Sequence, residues 1–175
     1  MQKLYSNILG TPVFDQDGGR PITTVRDLVV DPESGKLIAF VVNQSKNLII
    51  TPVDILFWKE ILKVRDRDAI ISASEVLRVE SVQKNGIHFF HNKVETKSGK
   101  FLGKVVDFEI DTNLYVLARI HVAKGFLGLI KYDSRIIPAD HIVEVLEDKI
   151  VVKDDFQEVK QETEEKAAIK DLAVG

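Results

Sequence analysis

The chain has no cysteine and only one tryptophan in 175 residues. The first absence excludes disulfides, thiolate zinc sites and a cysteine nucleophile. It fits a reducing compartment. Long apolar runs are also missing. The longest clean one, "LIAFVV" at 37–42, is far short of the roughly 20 residues that a spanning helix needs. The opening "MQKLYSNILGTPV" has no apolar core of the signal-peptide kind. These features predict a cytoplasmic chain that meets a membrane only peripherally. Neither sign of charge dominates. Lys and Arg number 24 against 27 Asp and Glu, for a net charge of −3 and a pI near 5.8. No global field draws nucleic acid or anionic lipid. What is present is ordinary soluble composition, 45% hydrophobic and 29% charged. The length suits one domain or two small ones.

Catalytic and metal motifs are scarce. There is no G-x-S-x-G, and the four histidines (His88, His91, His121, His141) stand in unrelated contexts. His88 and His91 are three apart on a strand-like run, so they are expected on opposite faces. The carboxylates Asp15, Asp17, Asp31, Glu33 and Asp111 fall at turns, where they cap backbone amides. Asp27 and Asp107 read as solvent-facing strand positions. Calcium-loop spacing is absent. The expectation is no enzyme, with no catalytic residue, no cofactor and no metal.

One stretch imitates a phosphate loop. In "TKSGKFLGKVVDFEID", Gly99, Gly103 and Lys104 read G-x-x-x-G-K. A true loop needs a fourth intervening residue, then Ser or Thr after the lysine, then a helix. Here Val105 follows and the pattern is that of a strand. The stretch reads as a structural hairpin.

The chain repeats itself. "ILGTPVFDQDGGRPITTVRDLVVDPESGKLIAFVV", from Ile8, parallels "FFHNKVETKSGKFLGKVVDFEIDTNLYVLARIHV", from Phe89. Val13 falls on Val94 and Gly18 on Gly99. Val25, Asp27, Leu28, Val30 and Asp31 fall on Val105, Asp107, Phe108, Ile110 and Asp111. Later, Ile61, Val64 and Ile70 align with Ile142, Val145 and Ile150. Two copies of a unit of about 80 residues is the simplest reading. Leu28 and Val30 share one strand face, as do Phe108 and Ile110. Gly18, Gly35 and Gly99 sit where tight hairpins want positive φ. Short strands at regular spacing suggest small antiparallel barrels.

These patterns resemble the PRC-barrel family. The carrying residues are the Gly turn, the V-x-D-hydrophobic strand and the Asp turn with its apolar strand. A second and cleaner copy ends in "IIPADHIVEVLEDKIVV", with Trp58 in the first copy taking the slot of Pro138. The resemblance implies an all-β fold of two tandem small barrels, 1–80 and 81–155. The composition shifts over 156–175 to a charged, net acidic tail, read as a frayed helix or a disordered segment. Similar barrels occur in the H subunit of photosynthetic reaction centres and in the C-terminal domain of a ribosome maturation factor. The resemblance implies a non-catalytic adaptor docking on a larger assembly through protein contacts.

Two surfaces are candidates for that role. Phe126, Leu127 and Leu129 in "GFLGLI", with Phe57 and Trp58 of the first copy, are the expected protein interface. Lys93, Lys97, Lys100 and Lys104 face a single carboxylate, Glu95, and form a basic patch suited to RNA or a ribosome. A membrane-peripheral role through the "GFLG" tip is a third reading. The joining segment 72–86, with Val76, Val79 and Val82, is expected to pack rather than hang loose.

Overall fold

The structure is a computed structural model that describes residues 1–126 and 129–155, with side chains described outside 125–133. The acidic tail over 156–175 lies outside the described residues. In the first half the strands are β1 (Gln2–Leu4), β2 (Pro12–Phe14), β3 (Thr23–Thr24), β4 (Asp27–Val30), β5 (Leu37–Asn43), β6 (Leu48–Ile50), β7 (Ile55–Trp58), β8 (Leu62–Val64) and β9 (Ile71–Ser72). A short helical turn α1 (Tyr5–Ile8) follows β1, and helix α2 (Leu77–Lys84) leads into the second half. There the strands are β10 (Lys93–Thr96), β11 (Phe101–Asp111), β12 (Val116–Phe126), β13 (Leu129–Pro138), β14 (Ile142–Val145) and β15 (Lys149–Val152).

The fold is mostly β, but the all-β expectation omits α1, α2 and several 3-10 turns. The strands form three sheets with open ends: β3-β2-β8-β7, β4-β5-β6-β9, and β13-β12-β11-β10-β15-β14 with β1 beside β11. The sheets are thus not closed into barrels. Both halves share one ladder plan. β2 pairs in parallel with β8, and β10 pairs in parallel with β15. β7–β8 and β14–β15 carry the same bulged antiparallel register. In the second half the single long strand β11 does the work of β3 and β4, and so fuses two sheets into one.

The ladders correct the alignment of the closing strands. Trp58 pairs with Leu62, and its counterpart Val145 pairs with Ile150. Ile55 therefore corresponds to Ile142, not Ile61, and Trp58 corresponds to Val145, not Pro138. The turn that precedes each pair is also shared: a 3-10 turn at Pro52–Asp54 in one half and Ala139–His141 in the other. A nearly constant offset between the two stretches misses this because β12 and β13 are long and push everything after them several residues further on.

The halves meet about a local two-fold. Leu37 N–H donates to Tyr115 O at 2.8 Å, and Leu117 N–H donates to Gly35 O at 2.7 Å. The donors Leu37 and Leu117, and the acceptors Gly35 and Tyr115, are separated by the same number of residues. Gly35 has φ +67° and its counterpart Tyr115 φ +53°, so both turns use the left-handed region. Gly18 and Gly99 also have positive φ, at +74° and +86°. One apolar core runs through both halves, with Phe40 edge-on to Trp58 at 5.0 Å and Trp58 against Tyr115 at 5.5 Å.

β5 is apolar almost throughout because both its faces are covered. Leu37, Phe40 and Val42 face the main core, while Ala39 and Val41 pack on Val79 and Val82 of α2. The joining segment is packed in this way, as a helix with a 3-10 start capped by Ser72 and Glu75. Arg78 then clamps α2 to the β4–β5 turn. Its Nη2 lies 2.6 Å from Asp31 Oδ1 and 3.0 Å from Glu33, and its Nε donates to Asp31 Oδ2 at 3.1 Å.

The Arg78 guanidinium holds the Asp31 carboxyl below the usual carboxylate range. The stabilisation is therefore present above the unfolded carboxylate pKa near 3.9 and is lost as pH falls through the lower folded value. Arg78→Ala is expected to remove this part of the acid-side decline in stability, read from thermal melts between pH 7 and pH 3. Unchanged pH dependence would contradict the clamp.

Candidate functional site

Two surfaces stand out, one in each half, and both are made by bulges. Along β7, Ile55 pairs with Val64, Phe57 with Lys63 and Trp58 with Leu62. Leu56 is the extra residue. Strict alternation would put Leu56 and Phe57 on opposite faces. The bulge turns both outward and Trp58 inward. Leu56 is 48% and Phe57 42% exposed, and Val53 in the preceding turn is 89% exposed. That turn is pinned by Thr51 Oγ1, which donates to Asp54 Oδ2 at 2.6 Å. Lys59 lies over the Phe57 ring at 5.6 Å. β7 ends its sheet, so its outer backbone edge has no neighbouring strand among the described residues.

The second half provides an internal control. The same bulge recurs at β14, where Val143 and Glu144 stand for Leu56 and Phe57, and Asp140 stands for Val53. The ladder plan tolerates two carboxylates there. The apolar ridge Val53–Leu56–Phe57 is therefore not required by the fold.

The other surface is the lysine face. Lys93 pairs with Lys104 across β10–β11 and with Lys149 across β10–β15, so three lysines line up over three strands. Lys149 bonds to Glu95. Lys93, Lys100 and Lys104 form no ion pair among the described residues, and Lys97 lies near Asp154. All four predicted lysines are exposed and share this region. Like charges directly opposite on a sheet destabilise it.

Gly103 explains the phosphate-loop imitation. It lies inside β11 at φ +136°, not in a turn. A Cβ there would meet Ala123 O at 2.3 Å. The β10–β11 register skips at this point, so Leu102 and Gly103 are both buried. Phe101 and Lys104 consequently emerge on the same outer face. Phe101 is 44% exposed, with Lys124 5.7 Å from its ring. Strict alternation would place Phe101 and Lys104 on opposite faces, and only the bulge brings this aromatic among the lysines.

Of the expected protein interface, Phe57 is exposed and Trp58 is not. Trp58 is 8% exposed and belongs to the core between the halves. Leu127 lies outside the described residues. The backbones of Phe126 and Leu129 pair with each other at the end of the β12–β13 hairpin, and their side chains lie outside the described set. Val53, Leu56 and Phe101 were missed. Val53 and Leu56 had only local hydrophobicity as a signal, next to a Trp58 that looked more conspicuous.

The histidines do not converge. His121 Nε2 lies 2.8 Å from Glu109 Oε1, and Arg119 holds the other oxygen at 3.1 Å. His141 pairs with Asp140. His88 and His91 lie in a turn, not on a strand, and His91 has φ +65° where the first half has Gly10 at +82°. Asp31 and Asp111 cap turn amides, Asp31 that of Glu33 and Asp111 those of Asn113 and Leu114. Among the described residues no group of three His, Cys, Asp or Glu side chains is placed to hold a metal. Nor is any described helix long and apolar enough to cross a membrane.

No curated protein matches the chain. Residues 1–78, from β1 to the start of α2, match the family model described as the PRC-barrel domain.

Proposed function

We propose that this chain is a non-enzymatic docking module of two tandem PRC-type copies, 1–80 and 81–155, acting in the cytoplasm. It binds a protein partner through the Val53–Leu56–Phe57 ridge. The observation that carries this is the asymmetry of the two bulged edges. The same backbone carries three exposed apolar side chains in one half and two carboxylates with a valine in the other. Apolar side chains that the fold does not need, beside a free strand edge, suit a partner's apolar surface. The repeated ladders and the paired hydrogen bonds about the two-fold support the second copy.

The test is a double variant, Leu56→Asp with Phe57→Asp. Both side chains already face water, so the variant is expected to fold with an unchanged circular dichroism spectrum. It is expected to lose the proteins that the wild-type chain retains in affinity capture. Retention of the same proteins at the same level would overturn the reading.

Phe101 among the lysines favours a second reading, in which the other face meets single-stranded RNA on a ribosome or processing complex. Raised salt should then weaken binding steeply, and Lys93, Lys100 and Lys104 changed together to Glu should abolish it. Salt-independent binding sinks this second reading. The membrane-peripheral reading rests on a loop tip outside the described residues.

A further inference from the structure

A cleft of about 280 Å³ opens where α1, β4, α2 and the turn after α2 meet. Tyr5, Phe90, Phe108, Val82 and Ile87 line it, together with Asp27. Tyr5 stacks on Phe108 at 4.6 Å and touches Phe90 at 5.5 Å. Phe90 is exposed, yet its turn is held firmly. Asn92 Nδ2 donates to His88 O at 3.1 Å and to Leu146 O at 2.9 Å.

The carboxylate is half-satisfied. Asp27 Oδ1 accepts from the Tyr5 hydroxyl at 2.7 Å and from Leu28 N–H at 2.8 Å. Asp27 Oδ2 has no hydrogen-bond partner among the described residues, and Asp27 forms no ion pair there. A second carboxylate, Asp107, sits behind Tyr5 and is held by Ser6. Both raise the Tyr5 hydroxyl well above its ordinary range, after the larger effect of burial. The only basic group lining the cleft is His88.

We propose that this cleft binds an organic cation, an alkylguanidinium or alkylammonium, with its charge at Asp27 Oδ2 and its alkyl stem against the rings of Tyr5 and Phe90. An anion is opposed by two carboxylates. A neutral apolar ligand would bury Asp27 without compensation, which is costly. A cation satisfies the free oxygen and gains from the ring faces. The volume suits a group the size of one arginine or lysine side chain, either free as a small molecule or carried by a partner.

The test is titration of the full chain, followed by ring proton shifts of Phe90 and Tyr5 at pH 8, above the ordinary histidine range. The probes are butylguanidinium, its neutral isostere butylurea, and the capped peptide acetyl-Gly-Arg-Gly-amide. The cation is expected to bind and butylurea not. Asp27→Asn keeps an acceptor for Tyr5 and removes the charge, so it should weaken the cation about tenfold or more. Phe90→Ala, on an exposed turn, should weaken it without unfolding the chain. Binding of the small cation alone assigns a free metabolite, and binding of the peptide as well or alone assigns a partner's side chain. Failure of both cations to bind, equal binding of butylurea, or indifference to Asp27→Asn overturns the proposal.

Discussion

Gly103→Ala is expected to destabilise the chain by about 3–5 kcal/mol, enough to consume a large part of an ordinary domain's stability. Two costs add. At φ +136° a side chain of L configuration is strained whatever the space around it. The new Cβ would also meet backbone, Ala123 O at 2.3 Å and its carbonyl carbon at 2.6 Å, and β12 cannot swing away as a flexible side chain would. Gly99→Ala is the matched control. Gly99 has φ +86° but nothing within 4 Å of its Cβ position, so its cost should stay near 1 kcal/mol. Urea denaturation of the two variants measures the difference. Equal effects would show that the β11–β12 approach is not as close as described. The lysine face depends on the same bulge, because it brings Phe101 and Lys104 to one side.

Phe40→Ala is the second large effect. Phe40 is fully buried on β5 and meets Trp58 edge-on, while Trp58 meets Tyr115 of the other half. Removing a ring from such a site costs about 3–5 kcal/mol through lost burial and the cavity left behind. The core is continuous, so the loss should reach both halves. Fluorescence of the single tryptophan, Trp58, and exchange protection of amides in β12 should fall in one coincident transition, at lower denaturant than for wild type. Two separated transitions, with β12 unaffected, would mean that the halves unfold independently.

Much of the architecture is legible in the residues. Gly18, Gly35 and Gly99 announce positive-φ turns, and the shared spacing of Asp27, Leu28 and Val30 with Asp107, Phe108 and Ile110 falls on β4 and β11, which pair alike with β5 and β12. Asp31 and Asp111 cap their turns as their position suggests. What failed is whatever depends on a broken period. Trp58 looked like a surface anchor, but the one-residue bulge at Leu56 turns it into the core and turns Leu56 out. Phe101 looked unrelated to Lys104 until the bulge at Leu102–Gly103 placed them together. A bulge changes which face each side chain takes without leaving a distinctive composition. The joining helix was legible only as a packed segment, since Val79 and Val82 fit either period over so short a run. The cleft at Asp27 draws on residues from Tyr5 to Phe108, and no local pattern brings those together.

The most direct test of docking through the first-half ridge is a photo-crosslinking side chain placed at position 57 and, separately, at position 101, with irradiation in intact cells. The account predicts a discrete protein adduct from position 57 that disappears when Val53 and Leu56 are changed to Asp. No protein adduct at 57, with a nuclease-sensitive adduct at 101, would contradict it and move the function to the lysine face.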